Sequence, residues 1–258
     1  MTAKDIPRGI AGEEGAEFAL ATKRGIFPLL RDFAIDNGLV FDSCLDIGCG
    51  RSRHDRWFSK FRQSADSATY VGIDTDQQIV DELRAEGVDA RNPEVDDTSG
   101  LTADLTLCIE VVEHLKPEEM NGFLEFARDS TRTLIGFTTP NFEYWDGVRA
   151  KQEYRECRWI PDHFPFFDPH GGPHEHKQRM TPAGLQRSLA EAFPADEWGT
   201  QVMRAWPWTL HDETTDASFV LAFKIFALAW RRGAAVEGFR GWRSTDDALT
   251  GEKPRAPA

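Results

Sequence analysis

Cysteine is scarce in this chain, and its cysteines are not paired in sequence. The four present, Cys44, Cys49, Cys108 and Cys157, form no C-x-x-C motif. Three of them fall in or beside segments with the pattern of buried strands, so we expect reduced and mostly buried thiols. Proteins of oxidising compartments make regular use of disulfides. The cysteine pattern therefore predicts a cytoplasmic protein.

Long apolar segments are missing as well. The first ten residues, MTAKDIPRGI, contain no apolar region typical of a signal peptide. The longest apolar run, residues 219–230, is too short to span a bilayer and contains Lys224. We therefore expect no membrane partner. The sequence also has no internal repeat and no low-complexity tract.

Basic charge is in deficit across the whole chain. The 30 lysines and arginines face 43 aspartates and glutamates, a formal net charge of −13. A general nucleic-acid binder carries a broad basic face, so this class is disfavoured, although a small basic pocket is compatible with the total. Residues 149–187 differ from the rest, with seven basic and five acidic side chains.

Alternating strand and helix patterns are what the chain does contain. Short apolar runs at 44–47, 69–73, 88–91, 104–109 and 131–137 alternate with helical segments. Two longer runs, 199–208 and 218–230, are expected to form an antiparallel pair. The order predicts an α/β fold: a doubly wound, mostly parallel seven-stranded Rossmann-like sheet with a C-terminal antiparallel pair.

The domain organisation follows from this order and from one interruption. A chain of 258 residues suits a single domain, which we place at residues 1–240 with N-terminal cap helices within 11–38. Residues 140–180 break the alternation and are rich in proline, histidine and aromatic side chains, as expected of a functional segment covering a substrate. Residues 241–258 are polar and predicted to be a loose tail.

A glycine turn follows the first long strand. Gly48 and Gly50 stand where the strand meets the next helix, and glycines there let a ligand approach the backbone closely. The third glycine of the dinucleotide fingerprint is missing, because Arg53 occupies its place. This weakens a nicotinamide interpretation.

Acidic and polar residues at the following strand ends complete a candidate nucleoside site. Asp74 ends the second strand, 24 residues after Gly50, where a carboxylate suits ribose hydroxyls. Asn92 or Asp89 is expected near an adenine edge, and the sequence does not choose between them. Ile109 ends the next strand on the same edge of the sheet.

A cluster of ionisable residues follows Ile109. If the chain is already helical there, Glu110, Glu113 and His114 lie on one face, because positions i, i+3 and i+4 are neighbours on a helix. Two carboxylates and an imidazole in one place suit a divalent metal. The alternative is a helix start that favours acidic residues, with a histidine there by chance.

Several of these segments resemble a known family. The D-x-G-x-G run from Asp46 to Gly50 is similar to the first motif of class I S-adenosylmethionine-dependent methyltransferases. Three further runs, CIEVVEHLKPEEM, TTPNFEYW and EHKQRMTPAGL, resemble those of the small-RNA 3′-terminal 2′-O-methyltransferases. The resemblance covers residues 44–189.

The resemblance implies a cofactor, a metal and their ligands. S-adenosylmethionine would be bound by Asp46, Gly48, Gly50, Asp74, Asn92 and Ile109. Mg²⁺ or Mn²⁺ would be held by the catalytic set Glu110, Glu113, His114 and His176. Other histidines of the same loop compete for the last ligand position, namely His163, His170 and His174.

Three functions remain open at this stage. The first is a metal-dependent O-methyltransferase acting on the 2′-hydroxyl of the 3′-terminal nucleotide of RNA, favoured by the match around residues 140–180. The second is a methyltransferase acting on a small-molecule vicinal diol or catechol, favoured by the acidic charge. The third is a non-catalytic S-adenosylmethionine-fold binding protein. The partner is thus an RNA 3′ end or a small-molecule hydroxyl, and the oligomeric state is unknown.

Overall fold

A computed structural model describes residues 19–20, 26–61, 68–143, 175–212 and 217–234. Most of the predicted substrate cover, the predicted tail and most of the segment before residue 26 lie outside the described residues. The rival histidines His163, His170 and His174 lie outside them too. The predictions made for these parts stay predictions.

The described residues form five α-helices and eight strands. The helices are α1 (Ile26–Asp36), α2 (His54–Phe61), α3 (Gln77–Ala85), α4 (Met120–Asp129) and α5 (Pro182–Ala192). The strands are β1 (Ala19–Leu20), β2 (Ser43–Ile47), β3 (Thr69–Ile73), β4 (Asp89–Arg91), β5 (Ala103–Ile109), β6 (Thr131–Pro140), β7 (Trp198–Asp212) and β8 (Ala217–Arg231). None of the described helices is long and apolar enough to cross a membrane.

All eight strands belong to one sheet, in the order β1-β7-β8-β6-β5-β2-β3-β4. Strands β2 to β6 are parallel to one another, and β8 runs antiparallel to both β6 and β7. The predicted Rossmann-like sheet with its C-terminal antiparallel pair is confirmed. The two-residue β1, which pairs with β7 at the edge, is an addition to the predicted seven strands.

Helices cover both faces of the sheet, which is why apolar side chains predominate on both faces of its central strands. Successive side chains of a strand point to opposite faces. In β5, Leu105 and Leu107 pack with Leu30 of α1, whereas Cys108 belongs to the opposite core with Leu124 of α4 and Leu189 of α5. Burial on both faces explains the continuous apolar runs of the parallel strands.

The helix boundaries follow local sequence signals. Helix α5 begins with Pro182 after Thr181, whose Oγ1 accepts a hydrogen bond from the Gly184 amide at 3.0 Å, as the sequence predicts. Helix α4 begins at Met120, directly after a 3₁₀ turn over Pro117–Glu119.

The strand order places a switch point between β2 and β5. From β2 the chain moves outward to β3 and β4, then returns to build β5 and β6 on the other side of β2. The connections leave β2 and β5 in opposite directions, so a crevice opens at their carboxyl ends, where α/β proteins of this kind bind ligands. The glycine turn and the ionisable cluster follow these two strands directly.

Gly199 offers a test of how tightly the β7–β8 pair is packed. It lies opposite Trp230, and a Cβ at this position would be 2.3 Å from Cε2 of that indole. We expect Gly199→Ala to lower the free energy of unfolding by about 1–3 kcal/mol, because the core cannot take the extra methyl without shifting. Urea denaturation measures the loss.

Gly122 of α4 provides the matched control for Gly199→Ala. No atom lies within 4 Å of the Cβ it would gain. Alanine is the better helix former, so Gly122→Ala should stabilise the protein by about 0.5–1 kcal/mol. Equal stabilities for the two variants would contradict the packing described for Trp230.

Candidate active site

The glycine turn at the end of β2 touches the segment that follows β5. Gly48 and Gly50 have left-handed backbones, with φ of 69° and 52°. A Cβ at Gly48 would lie 2.5 Å from Cγ2 of Val111, whereas nothing lies within 4 Å of one at Gly50. Gly48 is therefore needed where two loops meet, and Gly50 faces open space that a ligand can enter.

Arg53 has a left-handed backbone although it is not glycine. Its φ of 54° is in the left-handed region that non-glycine residues rarely use. Its guanidinium pairs with Asp55 at 2.8 Å and also with Glu86. The hydrogen bond from Arg53 is the largest cause of the lowered pKa of Asp55. Two ion pairs of the Arg53 side chain thus accompany this left-handed backbone after Gly50.

Asp74 connects the end of β3 to the glycine turn. Its Oδ2 accepts a hydrogen bond from the Gly50 amide at 2.9 Å, and its Oδ1 accepts one from the Asp76 amide at 2.9 Å. The side chain is partly exposed. Each carboxylate oxygen can accept a further bond, so Asp74 can serve both the turn and the hydroxyls of a bound nucleoside.

Asp46 lies beneath the turn rather than on its surface. It is 0% exposed, and its Oδ2 accepts hydrogen bonds from the Tyr70 hydroxyl at 2.5 Å and from Nδ1 of His54 at 2.8 Å. Burial, and then the charge of Asp46, raise the pKa of Tyr70 far above its usual value. Asp46 thereby anchors the start of α2, and its direct contact with a cofactor stays a prediction.

Asn92 and Ile109 differ in what they can offer a ligand. Asn92 is 4% exposed, and its side chain bonds to the Thr75 carbonyl, Gln77 and the Glu94 amide. These contacts organise the loop after β4, so contact between Asn92 and an adenine stays a prediction. Ile109 is partly exposed at the carboxyl end of β5, on the edge that carries the turn.

The candidate metal ligands Glu113, His114 and His176 come together in space. One ligand atom from each lies within 4.8 Å of the others. Glu113 and His114 belong to a 3₁₀ turn over Val112–His114, and His176 belongs to the segment preceding α5. The imidazole centroids of the two histidines are 4.9 Å apart, although 62 positions separate them in sequence.

Backbone hydrogen bonds hold the His176 segment against the 3₁₀ turn. The Glu113 carbonyl accepts from the amides of Lys177 and Gln178, at 2.7 and 3.1 Å. Nδ1 of His114 lies 3.1 Å from the Glu175 carbonyl. Because a carbonyl can only accept, Nδ1 carries the proton and Nε2 keeps the lone pair that a metal needs.

The Glu113 carboxylate is the strongest sign of a missing ligand. It is 0% exposed, and neither oxygen makes a hydrogen bond of ordinary geometry within the described part of the chain. Burial, and then the charge of Glu110, raise the pKa of Glu113 to about 8. A buried carboxylate beside two imidazoles is costly unless a cation compensates it, so these residues fit a divalent metal.

The same surroundings keep His176 neutral. Burial is the largest cause, and the neighbouring His114 adds to it, lowering the pKa of His176 to about 4. Metal binding requires the neutral imidazole. Two imidazoles and a carboxylate are ligands for a divalent transition metal such as Mn²⁺, whereas Mg²⁺ prefers oxygen ligands.

Glu110 does not share a helical face with Glu113 and His114, and that expectation is wrong. Its backbone is left-handed, with φ of 56°, and the 3₁₀ turn begins only at Val112. Its carboxylate instead accepts a hydrogen bond from Oγ1 of Thr138 at 2.7 Å and pairs with Lys224. Its role as a metal ligand stays a prediction.

Lys224 is the site residue that sequence reasoning missed. The register between β6 and β8 sets it opposite Pro140, at the carboxyl end of β6. The available signal was a single charge inside the apolar run 219–230. A lysine in a strand buried among neighbours needs an acidic partner, but only the strand pairing identifies that partner as Glu110.

Comparison with known proteins gives structural matches only. No protein-family model matches the sequence, and no curated protein does. The plantazolicin methyltransferase BpumL, in complex with a triazolic desmethylPZN analog and SAH, has a TM-score of 0.53 and 12% identity over 80% of this chain and 85% of its own. The plantazolicin methyltransferase BamL gives 0.52 and 11%, over 80% and 83%.

A further structure, the methyltransferase domain of bacterial-CtHen1-C, gives a TM-score of 0.48 and 14% identity over 80% of this chain and 97% of its own. At such low identities the matches concern the fold. The two plantazolicin enzymes show that the chain has the fold of class I S-adenosylmethionine-dependent methyltransferases.

Glu113→Gln tests whether the buried carboxylate belongs to a metal site. In chelator, the free energy of unfolding of the variant should exceed that of the wild type by about 1 kcal/mol, because a neutral amide costs less to bury than an unpaired carboxylate. With Mn²⁺ at about 100 times its Kd, the wild type should gain about 2.7 kcal/mol and the variant nothing. Thermal unfolding measures both.

The informative result is that Glu113→Gln is more stable than the wild type in chelator and less stable than the wild type in Mn²⁺. Glu94→Gln is the control, since Glu94 is exposed and far in sequence from the cluster. It should behave as the wild type does in chelator and in Mn²⁺. Identical responses of the Glu113→Gln and Glu94→Gln variants to Mn²⁺ would contradict a metal site at Glu113.

Proposed function

We propose that this chain is a divalent-metal-dependent, S-adenosylmethionine-dependent O-methyltransferase acting on the 2′-hydroxyl of the 3′-terminal nucleotide of RNA. One observation carries the proposal. The orphaned Glu113 carboxylate and its two histidines lie directly beyond Val111, which packs against Gly48 of the cofactor-type turn. A site for activating a hydroxyl therefore adjoins a site for a methyl donor.

The cofactor part of the proposal uses the carboxyl ends of β2 and β3. Gly50 leaves open space above the turn, and Asp74 presents a partly exposed carboxylate already aligned by two backbone amides. This geometry suits the ribose of S-adenosylmethionine. The buried Asp46 would act from below, by holding His54 and thus the start of α2.

The chemistry requires orientation and removal of one proton. A sulfonium methyl needs no activation, so the protein must direct the hydroxyl oxygen at the methyl carbon in line with the departing sulfur. Glu113, His114 and His176 would hold the metal, which when bound lowers the pKa of a hydroxyl and fixes its direction. Because both ring nitrogens of His114 are committed, to the metal and to the Glu175 carbonyl, another histidine of the loop is the candidate proton acceptor.

The RNA terminus is favoured by the residues that flank His176. Lys177 and Arg179 stand on the segment held to Glu113, and both are partly or largely exposed. They are candidates for phosphate contacts, with Arg149, Lys151, Arg155 and Arg158, which lie outside the described residues. Tyr144 and Trp145, also outside them, are the aromatic candidates for stacking on the last base.

A second candidate is methylation of a small-molecule vicinal diol or catechol. The net charge of −13 favours it, because an acidic protein repels a polyanion at long range. Both acceptors carry two adjacent oxygens that a single metal can hold. The same Glu113–His114–His176 cluster would therefore serve either reaction.

Asp74→Ala tests the cofactor site. The ribose would lose an acceptor and the Gly50 amide would lose its partner, so S-adenosylhomocysteine should bind at least about tenfold more weakly, a difference of about 1.4 kcal/mol. Asp81→Ala on the exposed face of α3 is the control and should bind as the wild type does. Absence of binding heat in the wild type would overturn the proposal at its base.

The acceptor is tested by offering labelled S-adenosylmethionine and Mn²⁺ to four substrates. These are a short single-stranded RNA, its 3′-phosphorylated and 2′-deoxy-terminated twins, and a catechol. We expect label on the plain RNA alone, because the proposed acceptor is a free 2′-hydroxyl beside a free 3′-hydroxyl. Binding of that RNA should weaken steeply with salt. Transfer to the catechol alone would favour the second candidate.

A further inference from the structure

The Glu110–Lys224 pair sets this site apart from a simple four-ligand arrangement. Glu110 lies three positions before Glu113 in the sequence, yet its carboxylate meets Lys224 of β8 and Thr138 of β6. The lysine side chain is 16% exposed. An ammonium in this position is a fixed positive charge beside the place where a cation would bind.

Contacts with two strands hold Glu110 in place. Its amide donates to the Thr138 carbonyl at 3.0 Å, and Oγ1 of Thr138 donates to its Oε1 at 2.7 Å. Nζ of Lys224 donates a hydrogen bond to the other carboxylate oxygen, Oε2. Turning this carboxylate to a metal would break two charge-assisted contacts and leave a largely buried ammonium without its acid, which is costly.

We propose that Lys224 is a positioning residue that keeps Glu110 out of the metal coordination shell, so that the metal is held by Glu113, His114 and His176 without it. This inference rests on the proposed function, since it concerns the same metal. It departs from the four-residue set that the sequence motif predicts.

The arrangement has two consequences for the site. A coordination shell without Glu110 has one more position for water or for a hydroxyl oxygen of the acceptor than a shell containing it. The pair Glu110–Lys224 is neutral overall, so Glu113 supplies the carboxylate charge of the set and the bound cation is less neutralised. Metal binding is then weaker, and a developing negative charge on the acceptor oxygen is better stabilised.

The test counts the waters bound to Mn²⁺ in the full-length protein. Broadening of the Mn²⁺ electron paramagnetic resonance signal by ¹⁷O-water reports this number, and calorimetry with Mn²⁺ gives the Kd. Lys224→Met should release Glu110, remove at least one water and tighten Mn²⁺ binding about tenfold or more. Glu110→Gln in the wild-type background should leave the water count unchanged.

The double variant Lys224→Met/Glu110→Gln separates ligand release from loss of charge. It removes a neutral pair, so its water count and Kd should return to those of the wild type. Lys224→Arg, which keeps the charge, should resemble the wild type throughout. If Lys224→Met does not fold, as judged by its unfolding transition, Lys224→Gln replaces it.

Three results would overturn the inference. One is that Mn²⁺ binds one more water in the single variant Glu110→Gln than in the wild type, which would show that Glu110 is a metal ligand in the wild type. Another is a Lys224→Met variant whose Mn²⁺ binds as many waters as in the wild type. The third is a double variant that binds Mn²⁺ as tightly as Lys224→Met does. Absence of Mn²⁺ binding in the wild type would remove the metal from the proposed function as well. Cofactor calorimetry on the Asp74→Ala variant is independent of that outcome.

Discussion

The burial of the Glu113 carboxylate is the constraint on which the arrangement of the site depends. Its oxygens have no ordinary hydrogen bond among the described residues, while its backbone carbonyl holds the amides of Lys177 and Gln178. The same residue thus supplies a buried carboxyl group whose pKa is raised to about 8, and its backbone carbonyl holds the segment that carries His176. A buried carboxylate of this kind is tolerated where function requires it, since burying a charge without a partner is expensive.

The strand order of the sheet places Glu113 beside the candidate cofactor site. The reversal of strand order between β2 and β5 opens one crevice at their carboxyl ends, and Val111 against Gly48 joins the two halves of it. The half after β2 and β3 has the features of a nucleoside site, with Asp74 held by the turn. The half after β5 has the features of a cation site. Asp74 belongs to the first half and Glu113 to the second, so substitutions at these two residues test the halves separately.

Much of the fold could be predicted from the sequence, because strand and helix patterns are local. The apolar runs, the glycine turn, and Thr181-Pro182 at the start of α5 are signals within a few residues. Glu113, His114 and His176 were also identified from motifs. The helical face for Glu110 was wrong, because the motif does not reveal that Glu110 takes a left-handed backbone and that the turn begins at Val112. Asp46 is 0% exposed, and the motif alone did not indicate that its side chain bonds to His54 and Tyr70.

The sequence by itself determined the α/β class, the order of the elements and the residue types at the ends of β2, β3 and β5, since these depend on short-range periodicity and turn chemistry. Only the tertiary structure decided which of those residues meet. His114 and His176 are 62 positions apart in sequence, and backbone hydrogen bonds from Lys177 and Gln178 to Glu113 bring them together. The pairing of Glu110 with Lys224 arises from the β6–β8 register. Contacts between distant segments depend on strand pairing and burial across the whole sheet, and no local pattern encodes them.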